Sequence, residues 1–147
     1  MSNKNYIILL AVILLNFLAI CEISSAEKKS QSAQNEIPNI FVKFENGMNT
    51  GAVKDFSIFF DVETYISLEN GVSSYFSQNQ SYYVLKEFLS TYKPIRFKFI
   101  RINESTDMPF AVGQFTYSLR GMRGTSQVFV SLKKTGSVWK ISQITIN

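Results

Sequence analysis

The second half of the chain is a succession of strand-length segments, and this pattern constrains the fold more than any other feature of the sequence. β-branched and aromatic residues dominate four runs, Arg96–Ile102, Phe110–Leu119, Thr125–Lys133 and Val138–Ile146. The connectors between them are short and rich in turn-forming residues, so consecutive strands are expected to be neighbours in one sheet. The segment after Pro94 therefore predicts a long antiparallel meander.

The region before Pro94 has mostly helical spacing. One apolar stripe predicts a first helix from about Glu36, formed by Ile37, Ile40, Phe41, Phe44 and Met48. A second, short helix is predicted over Ala52–Phe60. A third is predicted over Gln78–Thr91, because Ser77 and Gln80 have the spacing of a capping box and Pro94 disfavours helical geometry at the residue before it.

Two shorter runs predict a hairpin between the second and third helices. Val62–Leu68 alternates in polarity, Asn70-Gly71 is a turn signal, and Val72–Phe76 is long enough for a return strand. The expected fold class is therefore α+β, with three helices in the N-terminal half packed on a strongly curved antiparallel sheet.

Several stretches of the sequence carry a resemblance to known proteins. They are Ile37-Pro38, Phe76 to Gln80 followed by Val84 to Phe88, Phe110 to Gly113, and Leu132 to Lys134 with Gly136, Trp139, Ile141 and Gln143. With the order of elements, these stretches resemble the nuclear transport factor 2-like superfamily. The chain is most similar to its uncharacterised bacterial family called domain of unknown function 4783. The resemblance implies an α+β cone, and that family has no assigned chemistry to carry over.

The N-terminus has the layout of a secretory signal over residues 1–26. Lys4 precedes the apolar run Tyr6–Ile20, and Ser24 and Ala26 supply small residues for cleavage. Residues 27–35 are polar and predict a flexible leader, and residues 36–147 predict a single domain. Two alternatives are a membrane anchor, for which the run is shorter than the usual ~20 residues, and lipidation at Cys21, which bulky Ile20 precedes.

Cleavage near Ala26 would remove the only cysteine, and the chain has no histidine. The predicted signal places the mature protein in the periplasm or outside the cell. Without cysteine, its fold is expected to be stabilised by packing rather than by disulfides. Metal-ligand spacing is missing from the sequence, so neither a metal nor a cofactor is expected. The membrane would be met only transiently, through the signal peptide.

In the folds that this chain resembles, the sheet and the helices enclose a pocket. Apolar pockets with a few polar groups are the usual ligand sites. The aromatic and sulfur side chains predicted to line such a pocket are Phe44, Met48, Phe60, Tyr65, Tyr83, Phe88, Tyr117, Phe129 and Trp139. The alternative is that these side chains fill the cone completely.

Resemblance to ketosteroid isomerases and dehydratases raises a catalytic alternative, a lyase or isomerase with a carboxylate facing the pocket. Asp61 is the candidate base and Tyr65 or Tyr83 the candidate hydrogen-bond donor. The position of Asp61 between the second helix and the first strand favours instead a solvated residue at a helix end or in a turn. With no histidine and no carboxylate pair, a non-enzymatic protein is expected.

The basic residues of the predicted strand Arg96–Ile102 suggest that it binds an anionic partner. Period two would place Arg96, Lys98 and Ile100 on one face of the strand, and Phe97, Phe99 and Arg101 on the other. Basic and aromatic interleaving is one footprint of nucleic-acid binding, but export removes most encounters with nucleic acid, and an anionic glycan, a lipid headgroup or an acidic protein fits better.

The sequence thus predicts a non-catalytic binding module of the bacterial cell envelope. Its expected partners are a small apolar molecule in the pocket or an envelope protein on the sheet, including a second copy of itself.

Overall fold

The computed structural model describes residues 36–105 and 107–147. The predicted signal segment (1–26) and leader (27–35) lie outside the described residues, so the division of the chain at these points stays a prediction. Within the described ranges, no helix combines the length and apolar character needed to cross a membrane.

The first helix, α1, covers residues 36–50. Its predicted apolar stripe is confirmed, because Ile37, Ile40, Phe41, Phe44 and Met48 are all buried. The helix ends at Gly51, whose φ of 72° is the left-handed conformation in which glycine commonly closes helices.

The second helix, α2, is only Lys54–Ser57, which is shorter than the predicted Ala52–Phe60. The reason is tertiary, since Phe60 pairs with Ile141 and already belongs to strand β1. This strand covers Phe60–Ser67 and forms a hairpin with β2, Ser73–Ser77.

Helix α3 covers Gln78–Thr91, the range that the sequence predicts. The capping box is present, and the Ser77 backbone N–H donates to Gln80 Oε1 at 3.0 Å. The helix buries Leu85, Phe88 and Leu89 against the sheet. Its start is thus fixed locally and its orientation by packing.

Four long strands follow, β3 (Lys93–Asn103), β4 (Phe110–Leu119), β5 (Met122–Thr135) and β6 (Val138–Ile146). The bounds of β4 and β6 are those predicted, whereas β3 and β5 extend further at both ends. Between β4 and β5 the turn consists of Arg120 and Gly121, with φ of 52° and 85°, as a two-residue hairpin turn of the primed type requires.

The six strands of the described residues form one sheet in the order β2-β1-β6-β5-β4-β3. Pairing is antiparallel except between β1 and β6, which run parallel. The predicted α+β class and curved sheet are confirmed. We call the face that packs against α1 and α3 the inner face, and the opposite one the outer face.

Helix α1 also closes one edge of the sheet. The Asn49 side chain accepts from the Phe97 N–H at 2.8 Å and donates to the Phe97 carbonyl at 2.9 Å. The Glu45 carboxylate accepts from the Phe99 N–H at 2.9 Å. Unpaired backbone groups on an edge strand invite pairing with other chains, so these side chains protect β3.

Candidate functional site

Aromatic side chains fill the space between the helices and the inner face. Seven phenylalanines are among the largest fully buried side chains. The Phe44 ring lies 4.7 Å from that of Phe56 and 5.8 Å from that of Phe97, centroid to centroid. Six predicted pocket residues therefore belong to the packed core, namely Phe44, Met48, Phe60, Phe88, Tyr117 and Trp139.

Two predicted pocket tyrosines lie outside the core. Tyr83 on α3 is 65% exposed. Tyr65 lies on β1, where its hydroxyl is 2.9 Å from the Ser73 hydroxyl and its ring is 5.2 Å from that of Tyr75. Neither tyrosine reaches into the interior, because residue 65 faces outward on the strand and residue 83 faces solvent on the helix.

Asp61 is buried at the start of β1 rather than solvated at a helix end. Its carboxylate accepts from the Val62 N–H at 2.9 Å and the Thr135 hydroxyl at 3.1 Å, and Lys133 Nζ lies 2.5 Å away. Burial alone would raise the pKa of this carboxyl, but the three donors together hold its pKa below the usual range. A carboxylate held in this way is a weak base.

A second carboxylate, Glu69, is one that sequence reasoning missed. The Tyr117 hydroxyl donates to its two oxygens at 2.9 and 3.0 Å, and the Ser126 hydroxyl donates to it as well. Burial raises the pKa of Tyr117, and the Glu69 carboxylate adds to this effect. No local signal marks Glu69, because it follows a strand and meets β4 and β5 only through the fold. The cluster ties the β1–β2 turn to the sheet.

The outer face carries an apolar depression with a volume of about 630 Å³. Its floor includes Phe110 and Phe129, whose rings stack with centroids 5.9 Å apart. Met108, 69% exposed, contributes further apolar surface, and the buried Trp139 borders the depression. Phe129 thus lines an open surface on the opposite side of the sheet from the expected pocket, whereas Trp139, which also borders the depression, belongs to the buried core.

A neighbouring depression of about 400 Å³ continues across the sheet towards β2. It adds Glu63, Tyr65 and Tyr75, and it shares Lys133, Ser142 and Gln143 with the first. We call the two together the outer groove. Its floor is aromatic at both ends and polar in the middle.

Positive charge is concentrated on the strands that form this face. Residues 93–147 contain nine Lys and Arg but only two acidic residues, Glu104 and Asp107, and both lie between β3 and β4. Arg96, Lys98 and Arg123 together line a further outer-face depression of about 390 Å³.

The sequence-based assignment of Arg101 to the face of Phe97 and Phe99 was wrong. A bulge at Ile100 shifts the register, so Arg101 pairs with Val112 and its guanidinium lies 5.6 Å from the centre of the Phe110 ring. A bulge inserts one residue and reverses the alternation beyond it. Arg101 therefore joins Arg96 and Lys98 on the outer face.

In the described ranges, no three His, Cys, Asp or Glu side chains lie close enough together to hold a metal ion.

Three helices on a curved six-stranded sheet, in the described residues, define a nuclear transport factor 2-like fold, and solved structures with this fold superpose on the chain. One is a protein of Catenulispora acidiphila DSM 44928 with a ketosteroid isomerase-like fold, in complex with trimethylamine. It has a TM-score of 0.60 and 9% identity, over 75% of this chain and 85% of that one. At such identity the likeness shows the fold alone.

The chain belongs to the family described as Domain of unknown function (DUF4783), whose model matches residues 41–147. Two family members of known structure are similar to it. The Bacteroides ovatus ATCC 8483 protein has 18% identity and a TM-score of 0.63, over 71% of this chain and 90% of that one. The Bacteroides uniformis ATCC 8492 protein has 15% identity and a TM-score of 0.65, over 71% and 93%. No curated protein matches the sequence.

Proposed function

We propose that this chain is an exported, non-catalytic binding module of the bacterial cell envelope, and that it binds through the outer face of its sheet. The observation that carries the proposal is the outer groove, where half-buried aromatic rings lie beside lysine side chains. Apolar floors with a few polar groups are the usual form of binding sites.

Packing of the interior supports the choice of surface. A ligand between the helices and the sheet would have to displace side chains such as Phe44, Phe88 and Phe115, which are at most 1% exposed. Protein interiors are packed to crystal-like density, so such displacement is costly. A ligand on the outer groove displaces only water.

The contacts of the Asp61 carboxylate give less support to a catalytic role as a lyase or isomerase. Such chemistry needs a carboxylate within reach of the substrate, and the Asp61 carboxylate is occupied by Lys133, Thr135 and a backbone N–H. These contacts favour a structural role for Asp61 and a binding role for the protein.

Export is tested by expressing the full chain in a bacterial host and fractionating the cells. The intact mass of the exported species should correspond to a chain that starts at Glu27. A chain that keeps Met1 and remains in the cytoplasmic fraction would contradict the proposal, and a lipid mass on Cys21 would replace secretion by anchoring.

Binding through the outer face is tested by native mass spectrometry of the exported species. An associated mass, whether a small apolar molecule, an envelope protein or a second copy of the chain, should be lost in a Phe129→Thr variant. The same mass should be retained in Tyr83→Ala, which removes an exposed aromatic side chain from α3. Retention of the mass by both variants would exclude the outer groove.

A further inference from the structure

We infer that the outer groove, if it is the binding surface proposed above, takes a small anion with an apolar body, such as a medium-chain carboxylate. The inference rests on three features of the described residues, which are the apolar floor, the placement of cations over its rings, and the volume of the depression.

The aromatic floor of the depression favours a ligand with an apolar body. Phe110 and Phe129 stack to form a continuous aromatic surface, and Met108, which is 69% exposed, extends it. Covering apolar surface contributes about 25 cal/mol per Å², so an aliphatic or aromatic body gains free energy along this floor. The volume of about 630 Å³ lies in the range of small-molecule sites, about 300–1,000 Å³.

The cations set the charge of the ligand. Lys134 Nζ lies 5.9 Å from the centre of the Trp139 ring, and the Arg101 guanidinium lies 5.6 Å from that of Phe110. Lys133 is also in the wall, but Asp61 already neutralises it. The acidic residues that line the outer groove are Asp107 and, towards β2, Glu63.

This arrangement distinguishes Lys134 and Arg101 from Lys133. Across the described residues the Lys133–Asp61 contact is the one salt bridge, so the charges of Lys134 and Arg101 are matched only by aromatic rings and solvent. A carboxylate at the rim of the floor would complement them. Electrostatic complementarity of this kind selects among ligands of similar shape.

The sole tryptophan of the chain, Trp139, lies in the wall of the depression and gives the site its own reporter. The test titrates the folded chain with decanoate, decanol and decyltrimethylammonium, each below its micellar concentration, and follows the emission of Trp139. Decanoate should give a saturable change and bind about two- to fivefold more tightly than decanol, the effect expected of solvent-exposed charges. Decyltrimethylammonium should bind most weakly.

Two variants locate the site. Phe129→Thr should weaken decanoate binding about tenfold, because half-buried aromatic surface is lost. Lys134→Gln, which leaves the core untouched, should weaken decanoate about two- to fivefold and leave decanol unchanged. The matched control is Lys86→Gln on α3, which removes a lysine that lies 5.7 Å from the Tyr82 ring, outside the groove.

Three results would overturn the inference. They are no saturable change with decanoate, equal binding of decanoate and decanol, or equal decanoate affinity in Lys134→Gln and Lys86→Gln. Native mass spectrometry distinguishes failure of this inference from failure of the proposed function. An associated protein or second copy that is lost in Phe129→Thr would keep the outer face as the binding surface while excluding the small anion as its ligand.

Discussion

The Tyr117 hydroxyl donates to the Glu69 carboxylate at 2.9 Å, although 48 residues separate the two in sequence. The bond joins the turn after β1 to the inner face of β4, and Tyr117 itself is only 6% exposed.

Tyr117→Phe should lower the free energy of unfolding by about 1–2 kcal/mol, because a hydrogen bond to a charged group is lost. The effect should depend on pH. Since the pKa of Tyr117 is raised in the folded state, this contribution is fully present below the unfolded pKa of about 10. It is lost as the pH rises through the folded pKa. Urea unfolding at pH 8 and pH 11 measures the difference, with Tyr83→Phe as the control.

Asp61→Asn should lower stability by about 1–2 kcal/mol at neutral pH, because the contact with the half-exposed Lys133 is weakened. The pKa of Asp61 is lowered by folding. Its contribution is therefore present above the unfolded pKa of about 3.9 and is lost as the pH falls through the folded value. Denaturation at pH 7 and pH 3 tests this sign. Glu63→Gln on the same strand is the control, and equal effects of the two variants would contradict the prediction.

Asn49→Ala should destabilise the fold by about 1–3 kcal/mol, since it leaves both backbone groups of Phe97 unpaired. It should also increase self-association, because the edge of β3 becomes available for pairing. Thermal unfolding and light scattering measure the two effects. Asn46→Ala, an exposed position on the same helix, should change neither, and an Asn49→Ala variant that behaves likewise would exclude the protective role.

Gly113→Ala should destabilise the sheet by about 1–3 kcal/mol. A Cβ at this position would lie 2.6 Å from Phe97 Cζ and 2.9 Å from the Lys98 carbonyl oxygen, so the strands β3 and β4 would have to separate. The neighbouring Gln114→Ala at an exposed position is the control. Equal melting temperatures for the two variants would show that the sheet accommodates the methyl group.

Local chemistry explains what the sequence predicts well. The bounds of α3 follow from the capping box at Ser77 and from Pro94, and the stripe of α1 follows from its spacing. Features that depend on contacts between residues far apart in the chain cannot be predicted from local sequence signals. The parallel pairing of β1 with β6 shortens α2, and the bulge at Ile100 reverses the face of Arg101.

The candidate site shows the same division. Residue type makes Phe129 a candidate site residue, but the face of the sheet on which its ring lies depends on where the helices pack. Glu69 acquires its role only through Tyr117 and Ser126, which are far away along the chain.

Methyl NMR during a decanoate titration tests most directly whether the ligand binds at the outer face of the sheet or in the interior. Val112 pairs with Phe129 on the outer face, whereas Val130, one residue beyond Phe129, is buried on the inner face. We expect the Val112 methyl resonances to shift and saturate while those of Val130 and Leu85 stay in place. Shifts at Val130 and Leu85, or no shift at Val112, would contradict binding at the outer groove.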